Sequence, residues 1–269
     1  MNKLEKARQA ILDYPLKEYF EIIGIEASDY IFSNEHISEG LQFCIDVVND
    51  KVLNESDIPI GSSKSLGAPH LPKIVDLESL KGYDFLVQFN FEELKPCDIF
   101  DFFPNKGIVY LFYDFNSVSA KALYFDGDFE QLEVFEKAGD NSKNKFSSQS
   151  KRENPSKITF DAGFTFGNWD EREEITKVIP KELKATLSEI FGFSNLDPLR
   201  YDFNKEISGS ILGKPTFLID DEGYDNPFLD DYILLYDYCF GDNYLHFWIA
   251  PENLKKRDFS RIEVTVSVG

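Results

Sequence analysis

Positive charge is scarce in this chain. Only 28 Lys and Arg residues stand against 48 Asp and Glu, a formal net charge of -20, and the pI is near 4.5. A field of that sign repels phosphate backbones and anionic lipid, so neither nucleic acid nor a membrane surface is an expected partner. A basic protein is compatible with it, and so is plain solubility. Cysteine is scarce too. Cys44, Cys97 and Cys239 are odd in number, far apart and without a C-x-x-C pair, which argues against a disulfide framework and against a zinc site. Cys44 and Cys239 lie in apolar, strand-like runs and are expected to act as small buried hydrophobes. No run approaches the ~18 apolar residues of a membrane-spanning helix. The opening MNKLEKARQAILDYP is charged and amphipathic and lacks the apolar core and cleavage site of a secretory signal. The expected location is the cytoplasm. No motif calls for a cofactor.

Aromatic residues are abundant. Phe (26) and Tyr (13) dominate a chain of 269 residues that is 42% hydrophobic. Aromatics suit half-buried pleated surfaces, so the bias favours sheet. A chain of this length buries roughly 75% of its unfolded surface and needs no staples. It allows one large domain or two intimate ones.

Leu4, Ala7, Ile11 and Leu12 mark one face of an N-terminal helix, which Pro15 interrupts. Leu16, Tyr19, Phe20 and Ile23 suggest a second helical turn ending at Gly24. A strand-rich stretch is expected after it, in which Leu41, Phe43, Ile45 and Val47 alternate with Gln42, Cys44, Asp46 and Val48. The loop GSSKSLGAPHLP (61–72) leads into a strand at 85–90. Pro104 to Gly107 reads as a turn, and 108–113 (IVYLFY) as a central strand with both faces apolar. Residues 121–125 are a further strand. Residues 137–157 are rich in Ser, Asn and Lys and read as a polar linker. Pro180 opens a helix near 180–192, striped by Leu183, Leu187, Ile190 and Phe191 and ended by Gly192. From Ile207 onward the chain is strand-rich again.

The two parts on either side of that linker carry related elements. Leu66-Gly67-Ala68-Pro69 is matched by Leu212-Gly213-Lys214-Pro215, an offset of 212 − 66 = 146. The strand starting at Phe85 is matched by one starting at Tyr232, an offset of 147, and Gly107 to Tyr113 by Asn243 to Ile249, an offset of 136. Three elements in one order suggest duplication. The expected fold is α+β, a predominantly antiparallel sheet built from two sequence-related halves (about 25–136 and 158–269) within a single domain spanning 1–269.

The stretches SKSLGAPHLP, FLVQFNFEEL and NKGIVYLFYD, followed by SGSILGKPTFLIDDE and YILLYDYCFGDNYLHFWIAPENLKKRDFSRIEV, resemble the YwqG-like family over about 62–126 and 207–264. The chain departs from that pattern at Leu66, at Ser208-Gly209-Ser210 and at Phe240. The resemblance implies a domain of unknown function with no catalytic or binding residues to carry over. It also suggests an analogy to acidic, cytosolic, immunity-type proteins.

Candidate chemistry is sparse. His70 stands near Lys64 and Ser65 in a Gly- and Ser-rich loop, but GSSKS lacks the P-loop spacing and Pro69 and Pro72 forbid an immediate helix. A structural loop against the sheet is the plainer reading. His246 alternates with Tyr244 and Trp248 on one strand face, a stacking surface with one titratable group, or else a satisfied histidine among aromatics. The run DDEGYDNPFLDD (220–231) is the densest acidic cluster. It misses the EF-hand pattern and reads as a solvated loop or a contact for a basic partner. Gly241-Asp242 reads as a turn between strands, and Arg257-Asp258 as a brace before a final strand of Ile262, Val264, Val266 and Val268. The carboxylate pairs Glu92-Glu93 and Glu173-Glu174 have no partner fixed by spacing.

The leading expectation is a non-enzymatic protein-interaction domain that contacts a basic partner through Asp220, Asp221, Glu222, Asp225, Asp230 and Asp231. The alternative is a small-ligand-binding protein or enzyme with a pocket between the halves, lined by His70, Tyr244, His246 and Trp248. No metal ligand set is expected. Oligomeric state is open.

Overall fold

The computed structural model describes residues 2–25, 32–52, 54–135, 155–166, 169–191, 206–213, 231–240 and 243–268. The chain divides into two compact units. The first is Met1–Ile45, Ala162–Asn204 and Leu212–Thr216, and the second is Asp46–Asp161, Lys205–Ile211 and Phe217–Gly269.

The first unit is mainly helical. Its α1 (Lys3–Asp13) starts with a capping box: the Asn2 side chain accepts the Glu5 N–H, and Glu5 accepts the Asn2 N–H, both at 2.8 Å. Ala7 and Ile11 are buried as the spacing requires, while Leu12 is largely exposed. Pro15 separates α1 from α2 (Leu16–Ile23), which closes on Gly24 at φ +80°. The Asn34 amide donates to Ile11 O and Tyr14 O at 2.6 and 2.7 Å, satisfying carbonyls at the end of α1. A helix, α3 (Asn34–Gly40), then stands where a strand-rich stretch was expected. The Ser33 hydroxyl starts it by accepting the His36 N–H, and it buries only Ile37, Ser38 and Gly40. So few apolar positions leave no period to read. The same holds for α5 (Trp169–Val178), which sequence reading did not find. α6 (Lys181–Phe191) buries Leu183, Leu187 and Phe191, with Pro180 just before it. Phe191 packs on Phe164, with centroids 4.2 Å apart.

The sheet runs in the order β12-β11-β10-β9-β1-β8-β2-β4-β5-β6. Its strands are β1 (Leu41–Lys51), β2 (Lys64–Ser65), β4 (Asp84–Asn90), β5 (Ile108–Asp114), β6 (Ser119–Phe125), β8 (Ser156–Phe166), β9 (Glu206–Ile211), β10 (Ile233–Phe240), β11 (Asn243–Ile249) and β12 (Ile262–Val268). A separate pair joins β3 (His70–Pro72) to β7 (Leu132–Val134). The fold is α+β with a mostly antiparallel ten-stranded sheet. Ser156 and Lys157, read as the end of a linker, instead open β8 and pair with Ser65 and Lys64 of β2.

The hairpins β4–β5 and β10–β11 have the same register pattern. Gln88 of β4 faces Tyr110 of β5, and Asp237 of β10 faces His246 of β11. Each hairpin has an irregularity at one point, between Phe85 and Val87 and between Leu234 and Tyr236. Matching positions on β4 and β10 therefore lie 237 − 88 = 149 residues apart, two more than the apolar runs suggested. Side-chain alternation repeats every two residues, so apolar pattern alone cannot detect a two-residue shift.

Both faces of β5 are buried, as expected for a central strand. Ile108, Tyr110 and Phe112 join Phe85, Leu71, Leu80 and Leu132 in one core cluster. On the β10–β11 hairpin, Tyr236 and Phe247 stack within the second unit, and Tyr236 meets Phe89 edge-on at 5.0 Å.

Candidate functional site

Among the described residues of the second unit stand two buried polar clusters and an open cleft. The first surrounds the loop after β2. Leu66 and Gly67 adopt φ +58° and +68°, and a Cβ on Gly67 would meet a Glu55 carboxylate oxygen at 2.2 Å. That tight turn brings Ala68 N–H onto Glu55 at 2.6 Å. The fully buried Lys64 ammonium pairs with the same carboxylate and donates to Ala68 O at 2.8 Å. Burial lowers the Lys64 pKa, and Glu55 partly opposes that shift.

His70 lies inside this cluster. Its Nδ1 accepts the Gly61 N–H at 3.1 Å, so the proton of the neutral ring sits on Nε2. Gln88 accepts the His70 N–H at 2.9 Å and donates to Ser62 O at 2.7 Å. Tyr110 O–H donates to His70 O at 2.7 Å. Desolvation, reinforced by the Lys64 charge and partly countered by Glu55, pulls the His70 pKa from 6.5 to about 4. The ring is 1% exposed. His70 thus holds the loop to the sheet. Glu93 also serves that loop, accepting the Ser63 N–H at 2.7 Å.

The second cluster crosses β10, β11 and β12. Asp237 and His246 are directly opposed, and His246 Nδ1 lies 2.9 Å from Asp237 Oδ1. His246 Nε2 lies 3.0 Å from Ser267 Oγ. Asp237 and His246 are buried, whereas Ser267 is half-buried. Trp248, also buried, donates its indole N–H to Thr265 Oγ1 at 2.9 Å. Tyr244, His246 and Trp248 share a strand face, with successive ring centroids 6.4 and 6.3 Å apart. The structure therefore groups three of the four expected lining residues. His70 belongs to the other cluster, with Gln88 and Tyr110 as its partners.

Sequence reading missed Asp237 and Ser267. Asp237 was within reach. Phe240 faces Asn243 across the hairpin, and counting back from a turn at 241–242 sets Asp237 against His246. No tight turn links β11 to β12, so nothing local reported Ser267.

The cleft has a volume near 620 Å³. One wall is the 101–105 loop, fixed by Asp98, whose two carboxylate oxygens accept the Phe102 and Phe103 N–H groups at 2.9 Å each. Lys95 neutralises that carboxylate and also pairs with Asp101. Phe103 is buried against Phe91, the first residue of α4 (Phe91–Leu94), and Phe91 stacks on Phe259. Phe102 is 44% exposed. The other wall is Asp231, Tyr232 and Ile233 together with α7 (Pro251–Lys256) and Arg257. Arg257 ends α7 at φ +60° and lies 3.5 Å from Asp126. Asp258 of the same pair braces the turn through Arg261 at 3.3 Å.

Of the acidic run, only Asp231 is described, and it is exposed beside the cleft. Asp220, Asp221, Glu222, Asp225 and Asp230 lie outside the described residues, as does the Gly241-Asp242 turn. None of His70, Tyr244, His246 or Trp248 lines this cleft. Among the described residues no cluster of His, Cys, Asp and Glu forms a metal site. Among them, no helix is long and apolar enough to cross a membrane.

These features make the protein an α+β domain with a ten-stranded, mostly antiparallel sheet and buried polar clusters. The chain belongs to the family described as Domain of unknown function (DUF1963), whose pattern matches residues 63–267. No curated protein matches the chain.

Proposed function

We propose that the protein is a cytoplasmic binding domain that engages a basic partner protein through the cleft formed by 101–105, 231–233 and 251–257. The observation that carries this reading is Phe102. It is a half-exposed aromatic on a loop whose backbone is pinned by a buried carboxylate and whose neighbour Phe103 is stacked into the core. Rigid aromatic anchors beside apolar pockets concentrate binding energy. Asp101 and Asp231 on the rim are matched there by Lys255 and Arg257, so the attraction for a basic partner comes from the chain's net charge of -20. The resemblance to YwqG-like proteins fits an immunity-type role of this kind. The matched registers of β4–β5 and β10–β11 fit two duplicated halves, each giving one wall of the cleft.

The test is selection of displayed random peptides on the purified protein, followed by binding to Phe102→Ala and Asp231→Lys. The reading expects recovered peptides with Lys or Arg beside an apolar residue, weakened by salt and by both substitutions. Peptides that bind Phe102→Ala as well as wild type would refute it. A second reading is a small-molecule site, because the cleft volume falls in the range such sites occupy, about 300–1,000 Å³.

A further inference from the structure

From the line Asp237–His246–Ser267 we infer a second, chemically active site, in which Ser267 is a nucleophile toward carboxylic esters. This goes beyond the binding reading and does not depend on it.

The argument begins with protons. An ionised carboxylate only accepts, so the proton between Asp237 Oδ1 and His246 Nδ1 sits on the ring. In the neutral imidazole that leaves Nε2 as an acceptor, and the group facing it at 3.0 Å is the Ser267 hydroxyl. A base within hydrogen-bond reach of a hydroxyl, with that base oriented by a third group, is the arrangement that activates serine. Three antiparallel strands hold it. Asp237 and His246 are a directly opposed pair, Thr265 faces His246 from β12, and Ser267 is two residues further along the same face. Trp248, bonded to Thr265, closes the line on one side, and Tyr244, opposite Ser267, flanks it on the other.

Burial divides the roles. Asp237 and His246 are 2% and 0% exposed, while Ser267 is half-buried on the outermost strand of the ladder. Of the three, Ser267 is the residue with surface to offer a substrate. The aromatic flanks Tyr244 and Trp248 suit an ester with an apolar acyl group.

In the first step Ser267 Oγ bonds to the acyl carbon, its proton passes to His246 Nε2, and the alcohol leaves carrying that proton. In the second step water adds to the acyl carbon and gives a proton to Nε2. The Oγ–acyl bond then breaks, and the proton returns to Ser267. Asp237 is a positioning residue that acts through His246.

A fluorophosphonate probe tests the proposal. Wild type should gain one adduct, with loss of fluoride, located at Ser267 by peptide mapping, and Ser267→Ala should gain none. His246→Gln should slow labelling at least about 100-fold, the lower range for a lost general base. Asp237→Asn, which turns a donor toward Nδ1, should slow labelling as well and move the ring proton of His246 from Nδ1 to Nε2, read from its ring nitrogen chemical shifts. Wild type left unmodified, labelling elsewhere, or an unchanged rate in folded His246→Gln would overturn the inference. If His246→Gln fails to fold, Ser267→Cys takes its place. Its thiol should react with iodoacetamide at pH 6 at least about tenfold faster than free cysteine, and an equal rate would overturn the inference. None of these outcomes bears on peptide binding at Phe102.

Discussion

Replacing His70 with Gln should flatten the acid limb of the protein's stability. His70 is buried and neutral, with its pKa pulled from 6.5 to about 4. A depressed folded pKa means that the unfolded chain takes up the proton first as pH falls. The stability involved is fully present above 6.5 and is lost progressively toward 4. With those two values the linkage relation gives a loss of about 0.1 kcal/mol at pH 7.5, about 1.4 at pH 5.5 and about 2.6 at pH 4.5. A Gln side chain presents an oxygen to the Gly61 N–H that His70 Nδ1 now accepts, and it does not titrate. Urea denaturation of both proteins from pH 7.5 to 4.5 isolates the difference, because the carboxylates they share cancel. Wild type should lose about 2–2.5 kcal/mol more than His70→Gln over that range, with half the divergence reached near pH 5.5. Curves parallel to within about 0.5 kcal/mol would show that the ring is not held neutral, and the account of the loop as a desolvated cluster would fail.

Three further outcomes are open to the same denaturation assay. Gly209→Ala should cost at least about 2–3 kcal/mol, because its Cβ would lie 1.7 Å from the Asp237 carbonyl oxygen and the backbone must move. Tyr110→Phe should cost about 1–2 kcal/mol, leaving the buried His70 carbonyl without its 2.7 Å donor. Glu55→Gln removes the counter-charge of a fully buried Lys64 while keeping an acceptor for Ala68 N–H. Glu55 is itself 34% exposed, so about 2 kcal/mol is expected rather than the 3–5 of a wholly buried pair.

The register pattern shared by the hairpins β4–β5 and β10–β11 sharpens what the polar clusters are. Gln88 and Tyr110 occupy on β4 and β5 the positions that Asp237 and His246 occupy on β10 and β11. The first pair is satisfied by loop backbone, through Ser62 O and His70 O. The second contacts a half-buried side chain, Ser267. One backbone plan thus carries a brace to loop backbone on one side and a line of hydrogen-bonded side chains on the other.

Local spacing was enough for elements whose apolar stripe or caps are complete within a few residues. The N-terminal helix with Ala7 and Ile11 inward, the break at Pro15 and Gly24, the helix carrying Leu183 and Leu187, and the strands at 85–90, 108–113 and 262–268 were all legible, as was the α+β class. So was the face shared by Tyr244, His246 and Trp248, because side chains two apart on a strand point the same way. Neighbours distant in sequence were not legible. The pairing of Lys64 with Glu55, the approach of Ser267 to His246, and the union of 101–105 with 251–257 each need a register or loop path that apolar alternation leaves undetermined. Composition and period therefore determined which residues face inward. Tertiary structure alone decided which of the buried polar groups meet, because hydrogen bonds act over about 3 Å and only the folded chain sets positions that finely.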